Sequence, residues 1–185
     1  MTHSELEDLV KEFKNLHSND DPVVNYCLCQ DSLDEVIKIA VAAEGVNGKL
    51  HDHQRRVGRE KLRTYYNELL RYAKAIETCN SFDDLVQKLE KGYIKGIGLL
   101  TMYDIAIRIA AFMEKNCSKT TIFPDKVYLH AGSEKGAEKL LGRKVKRQEP
   151  KSVFSPALQS LTCDEIETFL CNMKAKLSPY KEGQP

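Results

Sequence analysis

Apolar residues return every three or four positions along almost the whole chain, and no stretch of six alternates with period two. That pattern argues against sheet-based folds and predicts an all-α, compact multi-helix protein. Leu6, Leu9, Val10 and Phe13 define a first helix, and His17 to Pro22 (HSNDDP) is rich in helix breakers. Ser32 with Glu35 three residues on is a capping box opening a helix through Leu33, Val36, Ile37, Ala40 and Val41, closed by Gly45 and Gly48. A long amphipathic segment from about Asp52 to Ile76 follows. Ser81 caps a helix carrying Phe82, Leu85, Val86 and Leu89, and Met102, Ile105, Ala106, Ile109 and Met113 mark a more apolar one. Pro124 is expected to start a further helical region broken at Gly132 and Gly142. A second capping box, Thr162 with Glu165, precedes a last helix whose core face is Ile166, Phe169, Leu170 and Met173. The chain is expected to be one domain over residues 1–185, with lobes, if any, at 1–80, 81–142 and 143–185.

With 185 residues and 21.0 kDa, a core can form without covalent staples. Hydrophobic residues at 42% against 30% charged, with a mean hydropathy of −0.45, fit a globular chain. No run approaches the eighteen apolar residues of a membrane span, so no membrane partner is expected. The first thirty residues lack a signal-peptide pattern. The six cysteines (Cys27, Cys29, Cys79, Cys117, Cys163 and Cys171) are therefore expected reduced, in an intracellular compartment, cytoplasmic or nucleoid/nuclear. No cofactor and no metal are expected.

The net charge of +1 conceals strong segregation. Residues 1–45 hold three basic and ten acidic side chains, whereas residues 46–75 hold eight basic against three acidic. Residues 91–151 hold thirteen against six. Affinity for polyanions follows such local blocks rather than the total.

The most specific local feature is Ile94-Lys95-Gly96-Ile97-Gly98-Leu99-Leu100-Thr101 between two predicted helices. Two glycines around one aliphatic residue permit a very tight connection and let another backbone approach closely. Unpaired N–H groups at the start of the next helix can then hold a phosphate. The segment resembles the helix-hairpin-helix motif of DNA-repair proteins, matching it at Ile94, Gly96, Ile97, Gly98 and Thr101, with Met102 in place of the usual Ala. The resemblance implies largely sequence-independent binding of DNA, or another nucleic acid, through backbone phosphates.

Over about residues 81–142 the chain also distantly resembles the helix-hairpin-helix DNA glycosylases. The resemblance places Asp125, in Phe123-Pro124-Asp125, at the catalytic aspartate and Leu140-Leu141-Gly142 at the end of the next helix. It implies a divergent glycosylase as an alternative function, with His130 as an assisting acid or base. Leu100 stands where lyase members carry a nucleophilic lysine, so no Schiff base is implied. Glu114 to Thr121 reads as an inserted loop, and the clustered cysteines of iron–sulfur members are absent. Asp125 has an ordinary reading too, as a first-turn residue after Pro124.

Further phosphate contacts are expected from Arg55, Arg56 and Arg59, and from Lys135, Lys139, Arg143 and Lys144, beside Lys95 and the hairpin itself. His51 and His53 flank Asp52, but on a helix such rings point to different faces, so no metal site is read there. The glycines of Ala131–Lys139 (AGSEKGAEK) lack the ending of a nucleotide-binding loop, and a helix break with Ser133 as the next cap explains them. Tyr65 and Tyr66 fit a core as well as base stacking. Two further readings are a non-enzymatic adaptor whose basic faces meet an acidic protein, and a small-nucleotide binder.

Overall fold

A computed structural model describes residues 1–16, 21–44, 48–116 and 122–180. Its described residues are mostly helical, with ten α-helices and one two-stranded sheet. They fall into two compact units, Asn19–Phe123 and Met1–Ser18 with Pro124–Pro185. The segment 81–142, read from sequence as one lobe, is thus divided between them. Among the described residues no helix is long and apolar enough to cross a membrane.

The first helix, α1 (His3–Leu16), belongs to the second of these units. The other unit begins with α2 (Pro22–Leu28) and α3 (Leu33–Ala42). Ser32 accepts the Glu35 N–H at 3.3 Å, satisfying an orphan donor at the start of α3 as expected. Ala43 ends that helix at φ 47; Gly45, expected to close it, lies outside the described residues. The expected long helix from Asp52 to Ile76 is instead three: α4 (Asp52–Val57), α5 (Arg59–Leu70) and α6 (Ala73–Glu77). Gly58 makes the first break, at a φ of 90° that residues with a Cβ rarely adopt.

Ser81 then caps α7 (Phe82–Lys91), whose Phe82, Leu85, Val86 and Leu89 form a buried stripe. A turn leads into α8 (Leu99–Asn116), which packs against α2, α3 and α7. Met102, Ile105, Ala106, Ile109, Ala110 and Phe112 are all buried, as befits a helix apolar nearly all round. Tyr65 is core rather than a stacking platform: it is fully buried and its hydroxyl donates to Leu89 O at 2.9 Å. Arg108 is buried in the middle of α8, donating from Nε and Nη2 to Asp21 Oδ2 at 3.0 and 2.9 Å. It also donates from Nη1 to Ala40 O at 3.2 Å. Glu114, read as part of a loop, lies inside α8 and accepts the Ile122 N–H at 3.1 Å; residues 117–121 lie outside the described residues.

In the unit that joins both ends of the chain, Leu6, Val10 and Phe13 of α1 share a core with Val127, Leu140, Phe154, Leu158, Ile166 and Phe169. Phe13 and Phe169 meet edge to face at 5.5 Å. Pro124 does not start a helix. β1 (Lys126–Tyr128) follows it and pairs antiparallel with β2 (Gln148–Pro150), Val127 opposite Glu149. Proline's fixed φ suits extended backbone as well as a helix start, and strands of three residues are too short to show period two. Between the strands lies α9 (Ala131–Leu141), and α10 (Cys163–Asn172) follows two short 3₁₀ turns. The Thr162–Glu165 capping box of α10 forms as expected.

Gly132 does not break a helix. It and Gly136 lie within α9, where their missing side chains admit Cys171 Sγ and the Leu170 carbonyl of α10. Ser133 is likewise not the cap but the third residue of α9. Its hydroxyl accepts the His130 N–H at 2.9 Å and donates to Glu167 Oε1 at 2.7 Å.

Glu149 of β2 is buried, accepting from Lys146 N at 3.0 Å and Arg143 Nη1 at 3.1 Å. Burial pushes its carboxyl up, but the Lys146 N–H and the Arg143 guanidinium together pull it below the usual carboxylate value. A carboxyl more acidic in the folded than in the unfolded chain adds stability above its unfolded pKa. That stability disappears as pH falls through the folded value. Glu149→Gln is therefore expected to flatten the acid limb of a Tm-against-pH curve, and an unchanged limb would remove Glu149 from acid sensitivity.

Candidate nucleic-acid interface

The connection between α7 and α8 is a tight turn in which Ile97 N donates to Ile94 O at 3.2 Å. Gly96 occupies its third position at φ 104, as a type II turn requires. Gly98 O accepts the Met102 N–H at 3.1 Å, which makes Gly98 the residue that opens α8. Ile97 is 2% exposed and anchors the turn in the core, whereas Lys95, Gly96, Gly98 and Leu99 are exposed. The amides that begin α8 therefore sit at an open corner, where the helix dipole favours an anion.

Two observations add to what the sequence suggested. Lys61, on α5, places its ammonium against Gly96: a Cβ built there would lie 2.9 Å from Lys61 Nζ. The sequence offered no signal for this beyond the basic block 46–75, because the contact joins residues 35 positions apart. A Cβ on Gly98, by contrast, would meet nothing within 4 Å, so internal packing does not account for that glycine. Tyr93 and Leu99, on either side of the turn, are both exposed large side chains.

Other expected contacts divide differently. Thr101 is 5% exposed, so its side chain, like that of Ile97, serves the core and leaves only main chain for a ligand. Arg55 and Arg56 are exposed at the end of α4, with Arg55 3.2 Å from Asp52. Arg59 is paired with Glu44 and donates to Gly48 O at 3.3 Å. Such exposed pairs contribute little to stability.

Lys135, Lys139, Arg143 and Lys144 belong to the other unit. There Lys139 donates to Lys174 O at 2.9 Å, Arg143 to Glu149, and Lys144 to Glu138 at 3.0 Å. Asp125 is also in that unit, exposed in the bend before β1 rather than in the first turn of a helix. His130 is buried, immediately before α9.

The five described cysteines are free thiols, and Cys117 lies outside the described residues. Burial pushes the Cys27 thiol up to about 12, which keeps it neutral and unreactive. His51 and His53 do not diverge as a helical projection implied. His51 precedes α4 and His53 is its second residue, and their rings meet edge to face with centroids 5.0 Å apart. Comparison with protein-family models, curated proteins and solved structures finds no match to this chain.

Proposed function

We propose that the unit Asn19–Phe123 binds nucleic acid, DNA in the first instance, by its sugar-phosphate backbone and largely without regard to sequence. The α7–turn–α8 segment acts as a helix-hairpin-helix in this reading. The main-chain amides opening α8 take one phosphate, and Lys61, Lys95 and the α4 arginines supply countercharge. The observation that carries it is the open corner at Gly98, with the Lys61 ammonium against Gly96. Base edges play no part, so mismatched and matched duplexes should bind alike. Asp125 has no role in this proposal, since it precedes a strand where the glycosylase resemblance calls for a helix.

Fluorescence anisotropy with a labelled duplex, repeated across a salt series, tests the proposal. Wild-type affinity is expected to fall with a log–log slope of about −2 or steeper. Lys61→Ala should weaken binding and make that slope shallower by about 0.9. Gly98→Ala should cost about tenfold or more in affinity, the scale of one charge-assisted hydrogen bond. Its stability should change by no more than about 1 kcal/mol, the value of a helix cap. Undiminished affinity in folded Gly98→Ala and Lys61→Ala would refute the hairpin's role. Equal retention on heparin and DNA, with no protected footprint, would favour the adaptor reading.

A further inference from the structure

We propose that the same unit holds a divalent first-row transition ion between His51, His53 and Asp104. One ring nitrogen from each histidine and one carboxylate oxygen of Asp104 lie within 4.8 Å of one another. A tetrahedral ion with bonds of about 2.0–2.1 Å sets its donors about 3.4 Å apart. Side-chain rotations of roughly an ångström therefore bring the three into one shell. The His53–Asp104 pair is nearly there already: Nδ1 and Oδ2 are 2.8 Å apart, and an ion takes the place of the proton they share.

The fold builds this cluster from α4, the residue that precedes it, and α8, which packs against α4. Asp104 is fixed by its place on α8, with Tyr103, Ile105 and Ala106 buried beside it. Gln54, fully buried, holds the His51 ring through a 3.1 Å contact between its Oε1 and Nδ1. This is the orienting kind of outer partner that metal-ligating histidines keep. The Gln54 contact occupies Nδ1 of His51 and so leaves Nε2 of that ring for the ion.

The donor set selects the ion. Two imidazoles and one carboxylate suit zinc, cobalt or iron(II), whereas magnesium and calcium call for oxygen ligands throughout. Three protein donors leave a coordination position open. His53 is one-third exposed at its side chain, which lets solvent reach the cluster. An ion held this way acidifies a bound water or takes an anionic oxygen. Asp104 lies five residues into α8, about 8 Å along the axis from Leu99. The ion site does not depend on the phosphate-binding proposal, and either can fail alone.

Zinc, and separately magnesium, are titrated into the metal-free 185-residue chain. Zinc is expected to bind one per chain and raise Tm, and magnesium to do neither. X-ray absorption of the zinc-loaded wild type should show a nitrogen and oxygen shell at about 2.0–2.1 Å. Asp104→Asn and His51→Ala should each lower zinc affinity about a hundredfold or more, with helical circular dichroism unchanged. If a variant fails to fold, the absorption spectrum of the wild type decides. A sulfur shell at about 2.3 Å, no saturable zinc binding, an equal response to magnesium, or full affinity in both folded variants would each overturn the site.

Discussion

Asp21→Ala is expected to lower the unfolding free energy by about 3–5 kcal/mol, because it leaves the Arg108 guanidinium buried without its counter-ion. Arg108 is 1% exposed, and the Ala40 carbonyl alone does not neutralise a charge at that depth. Asp21 also accepts the Val23 N–H at 2.9 Å, so alanine removes the α2 cap as well. Asp21→Asn separates the two effects, since asparagine caps helices about as well but carries no charge. The double variant Asp21→Ala/Arg108→Met should recover much of the loss, because removing both charges avoids the stranded ion. Urea unfolding measures all three. A loss under about 1 kcal/mol for Asp21→Ala would mean that the pair does not organise this core.

Gly136→Ala should be the most damaging small substitution in the other unit. A Cβ there would lie 2.0 Å from Leu170 O and 2.8 Å from Leu170 C, both backbone atoms of α10. Neither can rotate away, so α9 and α10 must separate by more than an ångström to reach ordinary contact. Overpacking typically costs about 1–3 kcal/mol, and a clash with backbone belongs at the upper end or above it. Gly132→Ala is the useful contrast, since its obstacle is Cys171 Sγ at 2.5 Å, a side chain that can be removed. Cys171→Ala should rescue Gly132→Ala and leave Gly136→Ala unrescued. Thermal melts that rank the two glycine variants the other way would contradict the packing described for α9 and α10.

The parts of this fold legible in the sequence are those fixed by neighbours a few residues apart. Ser32, Ser81 and Thr162 announce helix starts because a cap is a local hydrogen bond, and each cap forms. The stripe Phe82–Leu85–Val86–Leu89 is equally local and is buried as read. Partners distant in sequence were not legible. Nothing in α1 indicates that its Leu6, Val10 and Phe13 join a core made by residues after Pro124. Helix propensity penalises the glycines of α9 and marks them as breakers, yet close approach of α10 overrides propensity.

The candidate sites follow the same rule. Gly96 and Gly98 stand out because the turn is short and self-contained, whereas Lys61 reaches it only through the packing of α5. Projecting both histidines onto one helix makes their rings diverge. His51 lies before α4 begins, where the 3.6-residue period does not apply, and Asp104 arrives from a helix some fifty residues away.

The most direct test of the phosphate-gripping corner is a ¹H–¹⁵N correlation spectrum of the whole chain titrated with a short DNA duplex. The amides of Lys95, Gly96, Gly98, Leu99 and Leu100 should shift together and saturably, and the shifts should vanish as salt is raised. If those amides stay in place while others move, or if nothing moves at low salt, the turn between α7 and α8 does not hold nucleic acid.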